Sequence, residues 1–372
     1  MAEATNPLAA LNIKKLIGFK QITPGVITGD VVTALKQCGV DGVMRYVQNG
    51  SQFSIGQMSV LGNTFYGVKV DTPAGKVPGS IAFSAGTVVE IAGKPVQLGL
   101  RLTQSAYSGS AVAPSLLMVY RKKSNSDQDF NPKIIFQGED SSLYPELVFS
   151  AKKAGTGSYS VRVEVYVNRL PVGSIQIASI TPDESLAVQA GPYTSTSLSA
   201  PLTFMAGDIY VAELDYNSDG TVTPQLLGNL TLEPFTVASY TGDKHTNTKN
   251  QDIVTALNTL DPNHDLGALA IKPVEQPASV TFNAPDIAGK SIYGASLNIV
   301  YKDSIAPNNR LSYQITEGTT QLPAETITTR NADITGYTTF SKILTTPANG
   351  GDWNAENLKF KLDMVNKGTD AE

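Results

Sequence analysis

Between residues 159 and 168 the chain alternates strictly: Tyr159, Val161, Val163, Val165 and Val167 take every second position, and Ser160, Arg162, Glu164, Tyr166 and Asn168 fill the gaps. A period of two is that of a β-strand with one face buried and the other wet. The same period recurs at Val96, Leu98, Leu100 and Leu102, at Leu297, Ile299 and Tyr301, at Leu311, Tyr313 and Ile315, and at Leu358, Phe360, Leu362 and Met364. Strands of this kind, separated by Gly, Pro, Asn and Asp clusters, predict an all-β chain built as two or three antiparallel β-sandwich or jelly-roll domains. A parallel sheet would need crossover segments of about a dozen residues between strands, which the sequence mostly lacks.

Turn chemistry supports the pattern. Ala92, Gly93, Lys94 and Pro95 separate an expected strand at 88–91 from the one that starts near Val96, and Asn217, Ser218, Asp219 and Gly220 form a second hairpin tip after Ile209, Tyr210 and Val211. Two short helices are expected. Thr28, Gly29 and Asp30 cap one that carries Val31, Leu35 and Cys38 and stops at Gly39; Asp252 caps another through Leu257 to Leu260, ended by Asp261 and Pro262. Runs 30–35 and 252–257 read Asp-Val-Val-Thr-Ala-Leu and Asp-Ile-Val-Thr-Ala-Leu; a tandem duplication would explain the match, but the residues that follow do not match, so chance or shared helix grammar is the favoured reading. Loop-like composition at 181–197 and 241–250 divides the chain into an N-terminal arm (1–28), a β-sandwich domain (29–190), a region of hairpins and a connecting helix (191–265), either separate or part of a neighbouring domain, and a C-terminal β-sandwich domain (266–372).

Charge narrows the classes of partner. Charged residues make up 16% of the chain, against about a quarter in a typical domain, and the net charge is -5. Such a balance offers no broad attraction for phosphates, so nucleic acid is not an expected partner. Arg121, Lys122 and Lys123, like Lys152 and Lys153, read as solvated strand ends. Cys38 is the single cysteine, which excludes an intramolecular disulfide and a cysteine-built metal site. The first residues lack the apolar run of a signal peptide, and no stretch approaches the roughly 18 apolar residues of a membrane span. The expectation is folding in a cytoplasm, without a membrane span.

Signals for chemistry are sparse. The two histidines, His245 and His264, lie in polar sequence and read as surface loop residues. Neither a Gly-x-Ser-x-Gly elbow nor a His-Glu-x-x-His motif occurs. Asp215, Asn217 and Asp219 followed by Gly220 copy the first half of a calcium loop, but Leu226 stands where the twelfth-position Glu belongs; a hairpin tip is the favoured reading, and calcium is the one cofactor to test. Carboxylate pairs that a glycosidase would need, Glu139 with Asp140, Glu213 with Asp215, and Asp183 with Glu184, fall in turns or on outward faces. Tyr166 shares the polar face of its strand, so it is exposed or interfacial and suits a sugar platform as well as a cross-strand pair; Trp353 reads as a core plug.

The C-terminal quarter carries Leu297, Ile299 and Tyr301, then Leu311 to Ile315 followed by Glu317, Gly318 and Thr319, then Tyr337 to Phe340 and Leu344 to Pro347, and finally Asn349, Gly350, Gly351, Asp352, Trp353 and Asn354 before Leu358 and Phe360. This order resembles a β-sandwich domain found in tail-fibre and other virion-associated proteins of tailed bacteriophages. It departs from that pattern at Asp352, where a small residue often precedes the Trp, and in the absence of a Gly from the closing strand. The resemblance implies a virion component of the neck, tail, fibre or capsid-decorating layer, assembled in the host cytoplasm, and brings no catalytic residues with it. The expectation is therefore a structural protein without enzymatic activity that contacts copies of itself and other virion proteins. A jelly-roll capsid protein is one alternative; an adhesin module that binds a host-surface glycan is the other.

Overall fold

The computed structural model describes residues 11–109, 115–123, 126–135, 141–191, 196–260, 267–273, 275–302, 310–328, 338–354 and 358–368. The chain is all-β, with several antiparallel sheets and three short helices among the described residues. It forms two units: Met1–Lys20, Pro24–Thr33 and Gly42–Leu232 make the first, and Gln21–Thr23, Ala34–Asp41 and Glu233–Glu372 the second.

The first unit contains β1 (Asn12–Ile17), β2 (Gly25–Val26), β3 (Val43–Val47), β4 (Gln52–Val60), β5 (Asn63–Thr72), β6 (Ser80–Thr87), β7 (Val96–Gln104), β8 (Ser115–Lys123), β9 (Ser126–Ile135), β10 (Ser141–Leu143), β11 (Pro145–Gly155), β12 (Ser158–Val167), β13 (Leu170–Ile180), β14 (Ser185–Ala190) and β15 (Leu202–Glu213). Ten of these strands form one sheet in the order β13-β12-β11-β7-β15-β5-β4-β2, with β1 on β15 and β10 on β7; the other five form a second sheet, β3-β6-β14-β8-β9. The alternation read at 159–168 is β12: Val161, Val163 and Val165 are fully buried, as are Leu98 and Leu100 of β7. Complete burial of a side chain of this size contributes roughly 1.5–3 kcal/mol, which orients every strand in the sheet.

Three sequence expectations change here. The boundary near 190 does not exist, because β15 pairs with β7 and β5 at the centre of the large sheet. Nor is the described part of 1–28 a free arm: β1 runs antiparallel to β15, from Asn12 opposite Glu213 to Ile17 opposite Ile209. The expected strand at 88–91 is a helix, Val88–Gly93. Its start is a capping box, in which the Glu90 amide donates to Thr87 Oγ1 and the Thr87 amide donates to Glu90 Oε2, and this local bonding outweighs the β-preference of Val88 and Val89. The two expected helices are present as Val31–Gln37 and Ile253–Asn258, each with an Asp carboxylate accepting from a backbone amide three residues on: Thr33 N to Asp30 and Thr255 N to Asp252, both 2.7 Å.

The second unit contains β16 (Thr236–Thr241), β17 (Thr246–Asn247), β18 (Leu269–Ala270), β19 (Ala278–Asn283), β20 (Ala295–Tyr301), β21 (Arg310–Glu317), β22 (Thr320–Gln321), β23 (Glu325–Thr328), β24 (Thr338–Leu344) and β25 (Phe360–Asn366). One sheet runs β16-β19-β25-β21-β22, with β23 on β21, and a ribbon of β20 and β24 accompanies it. Val280, Tyr313, Ile315 and Leu362 of the sheet are packed by Leu297, Ile299 and Phe340 of the ribbon, the two-layer arrangement of a sandwich. Trp353 is the core plug expected of it: buried beside Ala295 and Leu358, it donates its indole N–H to the Thr345 carbonyl at 3.2 Å.

Candidate functional site

Successive side chains of β7 leave the sheet on opposite sides. Leu98, Leu100 and Leu102 point to the interior, so Gln97, Gly99, Arg101 and Thr103 face the other way. In the register, Tyr210 of β15, Gly99, Glu146 of β11 and Tyr166 of β12 stand in one row across four strands. Gly99 lets this row close up. A Cβ there would lie 2.2 Å from the Tyr210 ring, and across the vacant position Tyr210 Oη donates to Glu146 Oε1 at 2.5 Å while accepting from Gln97 Nε2, also at 2.5 Å. Gly99→Ala would force the buried Tyr210 ring out of place, and we expect it to destabilise the first unit by roughly 1–3 kcal/mol, read as a lower urea midpoint at constant slope.

Beside this row a bulge in β15 places Asp208 at a left-handed φ of 42°. Its carboxylate accepts from Arg101 Nε at 2.9 Å and its carbonyl accepts from Tyr144 Oη at 2.8 Å. The Arg101 guanidinium also lies over the rings of Phe65 and Tyr144, 4.7 and 5.4 Å from their centroids. Burial pushes the carboxyl of Glu146 above the usual carboxylate range despite its hydrogen bonds, and it pushes the hydroxyls of Tyr144 and Tyr210 well above theirs, helped by the nearby carboxylates.

The outer half of the same face is open. Arg162, Glu164 and Tyr166 follow one another on β12, and Glu164 joins them: it accepts from Arg162 Nε and from Tyr166 Oη, each at 2.8 Å. The Arg162 side chain is 61% exposed and that of Glu164 28%. Gln176 of β13 continues the polar row by donating to Ser160 at 2.9 Å. Partial burial, then the Glu164 carboxylate, pushes the Tyr166 hydroxyl up to about 12. The Tyr166 hydroxyl is thus tied to Glu164, which Arg162 also binds.

Elsewhere the expected sites come apart. Asp215 pairs with Lys94, while Asp219 accepts from the amide and hydroxyl of Thr221 at 2.8 and 2.6 Å, and Asn217 donates to Thr221 and Thr223; these bonds close a hairpin tip held by the Tyr216–Val222 bridge. No group of three or more His, Cys, Asp or Glu able to hold a metal occurs among the described residues. His245 is not a surface residue. It is buried, accepting from the Lys272 amide at Nδ1 and therefore donating from Nε2 to the Gln276 carbonyl at 2.9 Å. His264 and the pair Glu139 and Asp140 lie outside the described residues. Glu213 is taken by Asn12 and Lys14. Arg121 is no solvated strand end, since it is buried in a two-pronged pair with Glu184 at 2.5 and 3.0 Å. Glu146 and Asp208 carry the buried carboxylates of the face; the signal for them was a lone acid inside an apolar run, Leu143 to Phe149 and Phe204 to Val211.

No protein-family profile matches the sequence, and no curated protein sequence does. Among solved structures, the chain is similar to the alginate lyase Aly36B in complex with alginate trisaccharide (TM-score 0.35, 6% identity, covering 54% of this chain and 98% of that one). It is also similar to a tandem CBM22 domain from Paenibacillus barcinonensis Xyn10C (0.25, 8%, 96% and 90%) and to a carbohydrate esterase from the Shiga toxin-encoding bacteriophage phi24B (0.27, 15%, 51% and 99%). Because enzymes stand among these neighbours, the expectation of a chain without enzymatic activity is withdrawn. Likeness at this level assigns no reaction to the chain.

Proposed function

We propose that this chain is a glycan-recognising β-sandwich protein of a bacteriophage particle, with the polar face of the ten-stranded sheet as its recognition surface. The observation that carries the reading is the Arg162–Glu164–Tyr166 cluster on the open part of that face. A pyranose presents C–H groups on one side and hydroxyls around its rim. A tyrosine ring tied to Glu164 takes the first, and the Arg, Glu and Gln groups along the same face take the second. The resemblance of the C-terminal quarter to virion-associated sandwiches supports placement in a particle, where such a face would meet host-surface glycan.

Calorimetric titration of the full chain with alginate tetrasaccharide and with a neutral glucan oligosaccharide tests this. Saturable binding of at least one is expected, weakened at least tenfold, about 1.4 kcal/mol, by Tyr166→Ala and largely retained by Tyr166→Phe. Equal binding by the Tyr166→Ala protein, or no binding of either sugar, would refute it.

A role in assembly has its own support. β13 ends the large sheet, carries no charged residue from Leu170 to Ile180, and leaves Leu170 and Val172 exposed. An uncharged edge of this length is a template for another strand, which fits contact with copies of the chain or with other virion proteins.

A further inference from the structure

The inner half of the polar face is occupied by the chain itself. Residues 225–232 cross it as an extended strap outside any sheet ladder, held by seven hydrogen bonds from their backbone to side chains of the face. Gln97 clamps Gln225 in both directions, donating to its carbonyl at 2.9 Å and accepting from its amide at 3.0 Å. Glu146 accepts from the successive amides of Leu227 and Gly228 at 2.7 and 3.0 Å. Arg169 donates to the Leu227 carbonyl at 2.9 Å and Arg101 to the Leu230 carbonyl at 2.6 Å, while Leu232 donates to Asp208 at 3.2 Å.

A strap that served only to cover a sheet would be held most cheaply by an apolar face. Buried charges and amides are costly unless satisfied, and replacing a buried ion pair by packed apolar side chains is often neutral or stabilising. The face under the strap instead carries Gln97, Arg101, Glu146, Asp208 and two tyrosines, the same chemistry as the open half at Arg162, Glu164 and Tyr166. The strap satisfies these groups with backbone amides and carbonyls, the donor and acceptor types that sugar hydroxyls also provide.

We infer that the strap is a displaceable lid over a second, inner stretch of the glycan-binding face, and that lifting it lets an extended glycan run from Tyr166 across Glu146 and Tyr210. This rests on the glycan reading above. Gly228 supplies the means of loosening the lid while leaving Gln97, Glu146, Tyr166 and Tyr210 unchanged: it sits at φ 74°, and a Cβ there would come 2.9 Å from Nε of Arg169, the side chain that holds the Leu227 carbonyl. In the full chain Gly228→Ala is therefore expected to raise hydrogen exchange at 225–232, and to bind alginate tetrasaccharide or the neutral oligosaccharide at least tenfold more tightly than the wild type, with the gain lost on adding Tyr210→Phe. Leu230→Ser, which weakens a buried anchor of the strap, is the second variant should Gly228→Ala not fold. The inference is overturned if the strap exchanges faster with no gain in affinity, if the gain survives Tyr210→Phe, or if both variants fold with the strap still protected. Wild-type binding abolished by Tyr166→Ala alongside any of these leaves the outer site standing without the lid, so the two failures are distinguishable.

Discussion

Arg101→Met is expected to destabilise the first unit by about 3–5 kcal/mol, measured as a fall in the urea midpoint. The methionine fills much of the space against Phe65 and Tyr144, so volume is nearly conserved and the loss is electrostatic. Asp208 is buried and would lose the guanidinium whose Nε donates to its carboxylate, at a backbone position that is itself left-handed. The same substitution removes the donor to Leu230, so hydrogen exchange at 225–232 should rise together with the loss of stability. An unfolding free energy within about 1 kcal/mol of wild type would show that Asp208 does not depend on the Arg101 charge.

Glu184→Ala is expected to cost a similar amount, about 3–5 kcal/mol. Arg121 is buried, and both prongs of its guanidinium bond end on Glu184. Removal of the acid leaves the buried cation without the carboxylate that accepts both of its bonds. The diagnostic is the double variant Arg121→Met with Glu184→Leu, which removes both charges and should recover most of the lost stability. Recovery would mark the pair as a local electrostatic arrangement; no recovery would mean that the two side chains also hold the turn at Thr181, whose hydroxyl donates to Glu184 at 3.1 Å.

Much of the strand framework was legible because its signal is local. The alternation at Val161, Val163 and Val165 fixes which face of β12 is buried, and Tyr166 follows onto the polar face by parity alone. In β7 the same parity placed Gln97 and Arg101 on the outer face but implied that they meet water. They are buried instead, because the strap that covers them lies 128 and 129 residues further along the chain. No window of sequence contains both halves of that contact. The domain boundary failed for a related reason: the loop-like composition at 191–197 is real, yet β15 beyond it returns to the centre of the sheet that β4, β5 and β7 began. The helix at Val88–Gly93 was hidden by two β-branched residues, though Thr87 and Glu90 had the spacing of a capping box.

Hydroxyl-radical footprinting of the full chain at saturating glycan tests the central claim most directly, since it reads tyrosine side chains one by one. If the outer polar face binds sugar, Tyr166 should be protected by the glycan that calorimetry selects, and tyrosines of the second unit should react as they do in its absence. Unchanged reactivity at Tyr166, with protection confined to the second unit, would contradict the assignment of glycan recognition to the ten-stranded sheet.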